Sequence, residues 1–87
     1  MKLTITAHAQ KQIKKLPKAF QIILASKIRK LVSKPTTGEE KLSGYKNFYR
    51  ARVGVYRIIY IRYTNEIEIV LVGHRREVYL LLRKLLD

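Results

Sequence analysis

The sequence predicts an α+β domain in the order βααβββα, with two N-terminal helices packed on a twisted antiparallel sheet and a C-terminal helix. Three observations carry this. Apolar residues recur at helical spacing through the first third of the chain and are interrupted at Pro17. From Phe48 to Gly73 the pattern switches to alternation, punctuated at Gly54 and at Thr64-Asn65. The tail from Arg76 to Leu86 returns to helical spacing and is rich in leucine.

In chain order, Lys2 to Thr6 reads as a short strand, and Thr6 can cap a helix from about Ala7 to Leu16. A second helix runs from Lys18 to about Ser33, with Phe20, Ile23, Leu24, Ile28 and Leu31 on one stripe and Lys27, Lys30 and Lys34 on the wet side. Pro35 and Gly38 end it, and Lys34 to Lys46 reads mostly as loop. Strands follow at about Phe48–Val53, Val55–Tyr63 and Glu66–Gly73. The last helix, Arg76 to Leu86, is unusually apolar through Val78, Leu80, Leu81, Leu82, Leu85 and Leu86. No repeat or linker interrupts the chain, so residues 1–87 read as one domain.

Strand parity sorts the residues between Tyr49 and Tyr60. A two-residue turn at Gly54 puts Arg50, Arg52 and Arg57 on one face whether the turn is Val53-Gly54 or Gly54-Val55. Tyr49, Ala51, Val53, Tyr56, Ile58 and Tyr60 fall on the other. Gly54-Val55 is the better turn, because a type II′ hairpin wants glycine first. It sets Arg52 opposite Arg57, and like charges across a ladder destabilise it. A chain that keeps them needs concentrated positive charge for something anionic. A second two-residue turn at Thr64-Asn65 pairs Tyr63 with Glu66, Arg57 with Val72 and Val55 with His74. That adds Ile67, Ile69 and Leu71 to the apolar face and gives the arginine face Ile59, Ile61, Val70, Val72 and His74, with the last helix as its cover.

Composition agrees. Nineteen Lys and Arg against six acids give a formal charge of +13, and the first 38 residues hold nine Lys/Arg and no acid. Such a field favours nucleic acid, an anionic membrane or an acidic protein as partner. The chain has no cysteine, and neither of its two histidines stands at metal-ligand spacing with an acid, so the residues imply no thiolate chemistry, no metal and no cofactor. No signal region or long apolar run is evident, which fits a cytoplasmic protein without a membrane partner.

With those residues in place, the chain resembles the RelE/ParE superfamily of type II toxin–antitoxin toxins. The resemblance spans Leu3 to about Tyr79. It rests on Lys41-Leu42-Ser43-Gly44, on Tyr49-Arg50-Ala51-Arg52-Val53-Gly54-Val55-Tyr56-Arg57-Ile58-Ile59-Tyr60, and on Val72-Gly73-His74-Arg75-Arg76-Glu77-Val78-Tyr79. It implies a metal-independent, RelE-like endoribonuclease that cuts messenger RNA in the ribosomal A site, with the ribosome, its rRNA and a cognate antitoxin as partners. The basic positions before the hairpin turn look like Arg50 and Arg52, the strand arginine after it like Arg57, the basic pair after the last strand like His74 and Arg75, and the C-terminal aromatic like Tyr79. Some RelE members carry lysines where this chain has Arg50 and Arg52. Arginine stays protonated and makes a poor general base, which moves proton transfer to His74 and Tyr79. The same fold also serves ParE-like poisons of DNA gyrase, which are not enzymes, and fold alone does not separate the two.

Overall fold

A computed structural model describes residues 2–33 and 39–86. Its elements are β1 (Lys2–Ile5), α1 (Ala7–Lys14), α2 (Lys18–Ser33), β2 (Glu39–Lys41), β3 (Phe48–Val53), β4 (Tyr56–Arg62), β5 (Glu66–His74) and α3 (Val78–Leu86). The α+β class stands, and among the described residues no helix is long and apolar enough to cross a membrane. The helix stop expected at Pro35 and Gly38 lies outside the described residues.

Local chemistry explains the helix ends. Thr6 is extended, and its Oγ1 accepts the Ala9 N–H at 3.1 Å, which satisfies one of the first orphan donors of α1. Pro17 then opens α2, its carbonyl accepting the N–H groups of Phe20 and Gln21. The last helix begins at Val78 rather than Arg76, after a turn in which Glu77 N–H reaches the His74 carbonyl at 2.9 Å.

The sheet has the order β1-β5-β4-β3-β2. Two of its features correct the sequence reading. Strand β1 pairs in parallel with β5, Lys2 opposite Glu66 and Ile5 opposite Ile69, so the sheet is mixed rather than antiparallel. Parallel pairing needs a long crossover, and the whole span from α1 to β4 separates the two strands. Strand β2, in a segment read as loop, pairs with β3 as Glu39–Ala51, Glu40–Arg50 and Lys41–Tyr49. Its Glu-Glu-Lys sequence has little strand propensity; side chains of neighbouring strands hold it. Tyr60 Oη donates to Glu39 Oε1, Arg62 Nη2 meets the same oxygen at 2.6 Å, and Arg50 binds Glu40.

The first hairpin follows the preferred register, Val53 opposite Tyr56 and Arg52 opposite Arg57, with Gly54 at φ 60° leading the turn. The second keeps its expected register only from Arg62–Ile67 to Tyr60–Ile69. One extra residue, Val70, then bulges from β5, and the pairs become Ile59–Leu71, Ile58–Val72, Arg57–Gly73 and Tyr56–His74. Everything beyond the bulge changes face. Leu71 packs beneath α3, Val72 turns to the α1/α2 side, and His74 stands opposite Tyr56 instead of Val55. The run Ile69-Val70-Leu71-Val72 is apolar at every position, so alternation held no signal of the slip.

Two cores result. On one face Ala51, Val53, Ile58, Tyr60, Ile67, Ile69 and Val72 pack with Ala9, Leu24, Ile28 and Leu31 of α1 and α2. On the other, Ile59 and Leu71 pack with Val78 and Leu82 of α3, rimmed by Leu42, Tyr45, Phe48, Val70, Tyr79 and Leu81. Each large apolar side chain so buried stabilises the fold by about 1.5–3 kcal/mol before chain entropy is charged. The cover expected over Ile59 and Val70 is in place, but Val72 lies on the opposite face.

Candidate active site

The arginine cluster is a product of strand parity. Arg50 and Arg52 leave β3 on the α3 side, and Arg57 leaves β4 on the same side, directly across from Arg52. A Cβ added at Gly73, which sits opposite Arg57, would touch Val78 and Leu81, confirming that this face looks toward α3.

Each guanidinium is held differently. Arg50 binds Glu40 through Nη2 and through Nε at 3.2 Å, while its Nη1 donates to Tyr79 Oη at 2.6 Å. Its guanidinium carbon lies 5.7 Å from the Tyr79 ring centre, so the phenol both receives a hydrogen bond and offers its ring to the cation. Arg52 is far more open, its side chain 62% exposed, with Nη2 at 3.6 Å from Glu40 Oε1. Arg57 is only 9% exposed; its Nη1 donates to the carbonyls of Gly54 and Tyr56, both at 2.9 Å, so the hairpin turn clamps it.

Glu40 is the group on which these charges converge. Its carboxyl is held below the ordinary glutamate range, first by the Arg50 hydrogen bond and charge, then by the charges of Arg52 and Arg57, with desolvation opposing. Arg50 is pushed the other way by its hydrogen bonds to Glu40 and Tyr79, so it remains a cation throughout. Sequence reading gave Glu40 no role. The signal was present: Glu39-Glu40 is the only pair of adjacent acids in a chain of charge +13. Assigning the segment to a loop hid the pairing with Arg50.

The other expected site residues are spread out. Tyr79, half-buried in the first turn of α3, joins the arginines as expected. Arg75 is exposed at the end of β5, its N–H bound to the Val55 carbonyl at 2.8 Å, which ties it beside the hairpin turn. His74 does not join the cluster. Its ring packs edge-on against Tyr56 at 6.2 Å, Tyr56 packs in turn on Phe20 of α2 at 5.1 Å, and its Nδ1 accepts the Arg76 N–H at 3.2 Å. The Val70 bulge accounts for this. By turning the end of β5 over, it carries His74 to the α2 side of the sheet.

Residues 3–79 match the family model described as the ParE toxin of type II toxin–antitoxin systems. The chain belongs to this family. The toxin's fold recurs in solved structures of the wider RelE/ParE superfamily. A chain of the archaeal RelE–RelB complex from Pyrococcus horikoshii OT3 is 28% identical, with a TM-score of 0.74 over 85% of the toxin and 93% of that chain. The isolated Escherichia coli RelE toxin is 24% identical, with a TM-score of 0.74 over 99% and 98%. The YoeB dimer of Staphylococcus aureus is 18% identical, with a TM-score of 0.71 over 85% and 95%. No curated protein matches the toxin's sequence.

Proposed function

We propose that the toxin is a ribosome-dependent endoribonuclease that cuts messenger RNA in the A site without a metal ion. The observation that carries this is the Arg50 guanidinium, hydrogen-bonded at 2.6 Å to the Tyr79 phenol and flanked on the same face by Arg52 and Arg57. Cleavage by an RNA's own 2′-OH adds negative charge to the phosphate as the new P–O bond forms and the bond to the 5′-oxygen breaks. Fixed cations aimed at that phosphate stabilise the transition state more than the ground state. The departing 5′-oxygen needs a proton, and Tyr79 carries an O–H beside the cation that would steady its phenolate. The 2′-OH gives its proton to solvent at this open face, because arginines do not act as bases. Arg75 reaches the same end of the sheet from the hairpin turn and supports the phosphate. His74, bound to the Arg76 backbone, positions the turn that leads to Tyr79.

The likeness to chains solved in RelE–RelB complexes supports a protein antitoxin as partner, one that sets acidic or apolar groups against the basic face. Work on the ribosome places the toxin in the cytoplasm. Binding to ribosomes should weaken steeply between low and moderate salt, since a surface of this charge releases counterions from phosphates.

One observation favours a second reading, a gyrase poison: the matching family model is that of ParE. Primer extension on messenger RNA from cells briefly expressing the toxin separates the two. Discrete cuts within translated frames are expected. Intact RNA together with double-strand DNA breaks would replace the nuclease with the gyrase poison.

A further inference from the structure

We propose that Glu40 is a built-in competitor for the RNA phosphate, its carboxylate filling the Arg50–Arg52 anion site until substrate displaces it. This rests on the reading that these arginines bind phosphate. Both carboxylate oxygens are engaged: Oε2 binds Arg50 through Nε at 3.2 Å and through Nη2, and Oε1 lies 3.6 Å from Arg52 Nη2. Two oxygens bridging two guanidiniums is how the non-bridging oxygens of a phosphodiester would sit.

The strand that carries Glu40 is built for this. Alternation along β2 sends its two acids to opposite faces. Glu39, with a side chain 9% exposed, anchors the strand through Tyr60 Oη and Arg62 on the α1/α2 face. Glu40, with a side chain 48% exposed, faces the open side. An ion pair so wet is weakly held, so its carboxylate can swing away while β2 stays fixed by Glu39. Arg50 then keeps its bond to Tyr79, and an incoming phosphate meets an arginine already oriented. The competitor therefore lowers affinity for stray anions without disordering the site.

The test is fluorescence anisotropy at fixed low salt with a labelled 2′-O-methyl RNA hexamer, which has no 2′-OH to attack. Removing one charge near 4 Å from a guanidinium in water should tighten binding about fivefold, so Glu40→Gln and Glu40→Ala should both bind about five times tighter than wild type. Glu66→Gln removes the same charge three strands away and should change affinity less than twofold. Circular dichroism confirms that each variant is folded. A merely structural Glu40 would give weaker or unchanged binding in its variants, and that result overturns the competitor. The Arg50→Ala/Arg52→Ala double variant keeps the two failures apart. If it loses binding while Glu40→Gln matches wild type, the phosphate site stands and only the competitor falls. If it binds as wild type does, or if no form binds the hexamer, the phosphate site itself falls and takes the competitor with it.

Discussion

The two faces of the sheet are made by the same strands and differ in how they are closed. Under α1 and α2, the central side chains Ala51, Val53, Ile58, Tyr60, Ile67, Ile69 and Val72 are aliphatic or aromatic, and the helices leave them almost no solvent. Under α3 the cover is nine residues long and packs Val78 and Leu82 over Ile59 and Leu71. Beyond it the strands carry Arg50, Arg52 and Arg57 to the rim. A fully closed face has no place for three like charges, because unpaired cations there would lose their hydration. A half-closed face can hold them at graded depth, from Arg57 in the wall to Arg52 in water. Stability therefore sits on one side of the sheet and the proposed chemistry on the other, and the two should fail separately.

The largest break in that division should come from the closed face. Leu24→Ala, at a fully buried site, should cost about 2–5 kcal/mol in urea unfolding. Leu85→Ala, half exposed on the last helix, should cost less than about 0.5 kcal/mol. Equal losses would show that α3 carries as much of the fold as α2.

Next, Arg50→Ala should cut ribosome-dependent cleavage by about 10²–10³-fold. Its unfolding free energy in urea should fall by less than about 1 kcal/mol, because the group is partly exposed and its ion pair is wet. A soluble variant that still arrests growth like wild type would remove Arg50 from the site.

The hairpin turn sharpens the comparison because it belongs to both faces. Gly54 has φ 60° and open space around any added Cβ, so Gly54→Ala should cost only the backbone strain of about 1–2 kcal/mol. Activity should fall further than stability if the turn carbonyls that hold Arg57 shift. A cleavage assay run beside the unfolding measurement checks this.

The smallest effect concerns pH. Glu40 titrates below the ordinary glutamate range, so its pairing contributes fully above that range and is lost as pH falls through the lowered midpoint. The charged groups acting on it are Arg50, Arg52 and Arg57. Carbon NMR of the Glu40 carboxyl should show the depressed midpoint, and Arg50→Ala should move it back up. No movement would mean that Arg50 is not its main partner.

Most of the closed face was legible because binary patterning and Pro17 mark it without help from distant residues. The first hairpin was legible too, since a glycine and strand parity suffice to orient Arg50, Arg52 and Arg57. What escaped was decided by tertiary context. The Val70 bulge lies in a run with no polar marker, although Gln12 of α1 caps its far side by accepting the Val72 N–H at 2.8 Å. That interaction joins residues 60 positions apart, and the misplacement of His74 follows from it. Strand β2 escaped because two glutamates and a lysine form a strand only where tyrosine and arginines await them.

The parallel pairing of β1 with β5 has a consequence in time. Strand β1 takes its place against residues 66–69, with everything from α1 to β4 lying between the two in sequence. Long-range pairing of this kind is slow to nucleate, because the intervening loop must close before the contact is rewarded. A nascent chain that has reached Arg57 already carries all three arginines of the hairpin. It has neither the β5 strand that braces Arg57 nor the Tyr79 that orients Arg50. The topology thus defers completion of the arginine face until β5 and α3 have both been made.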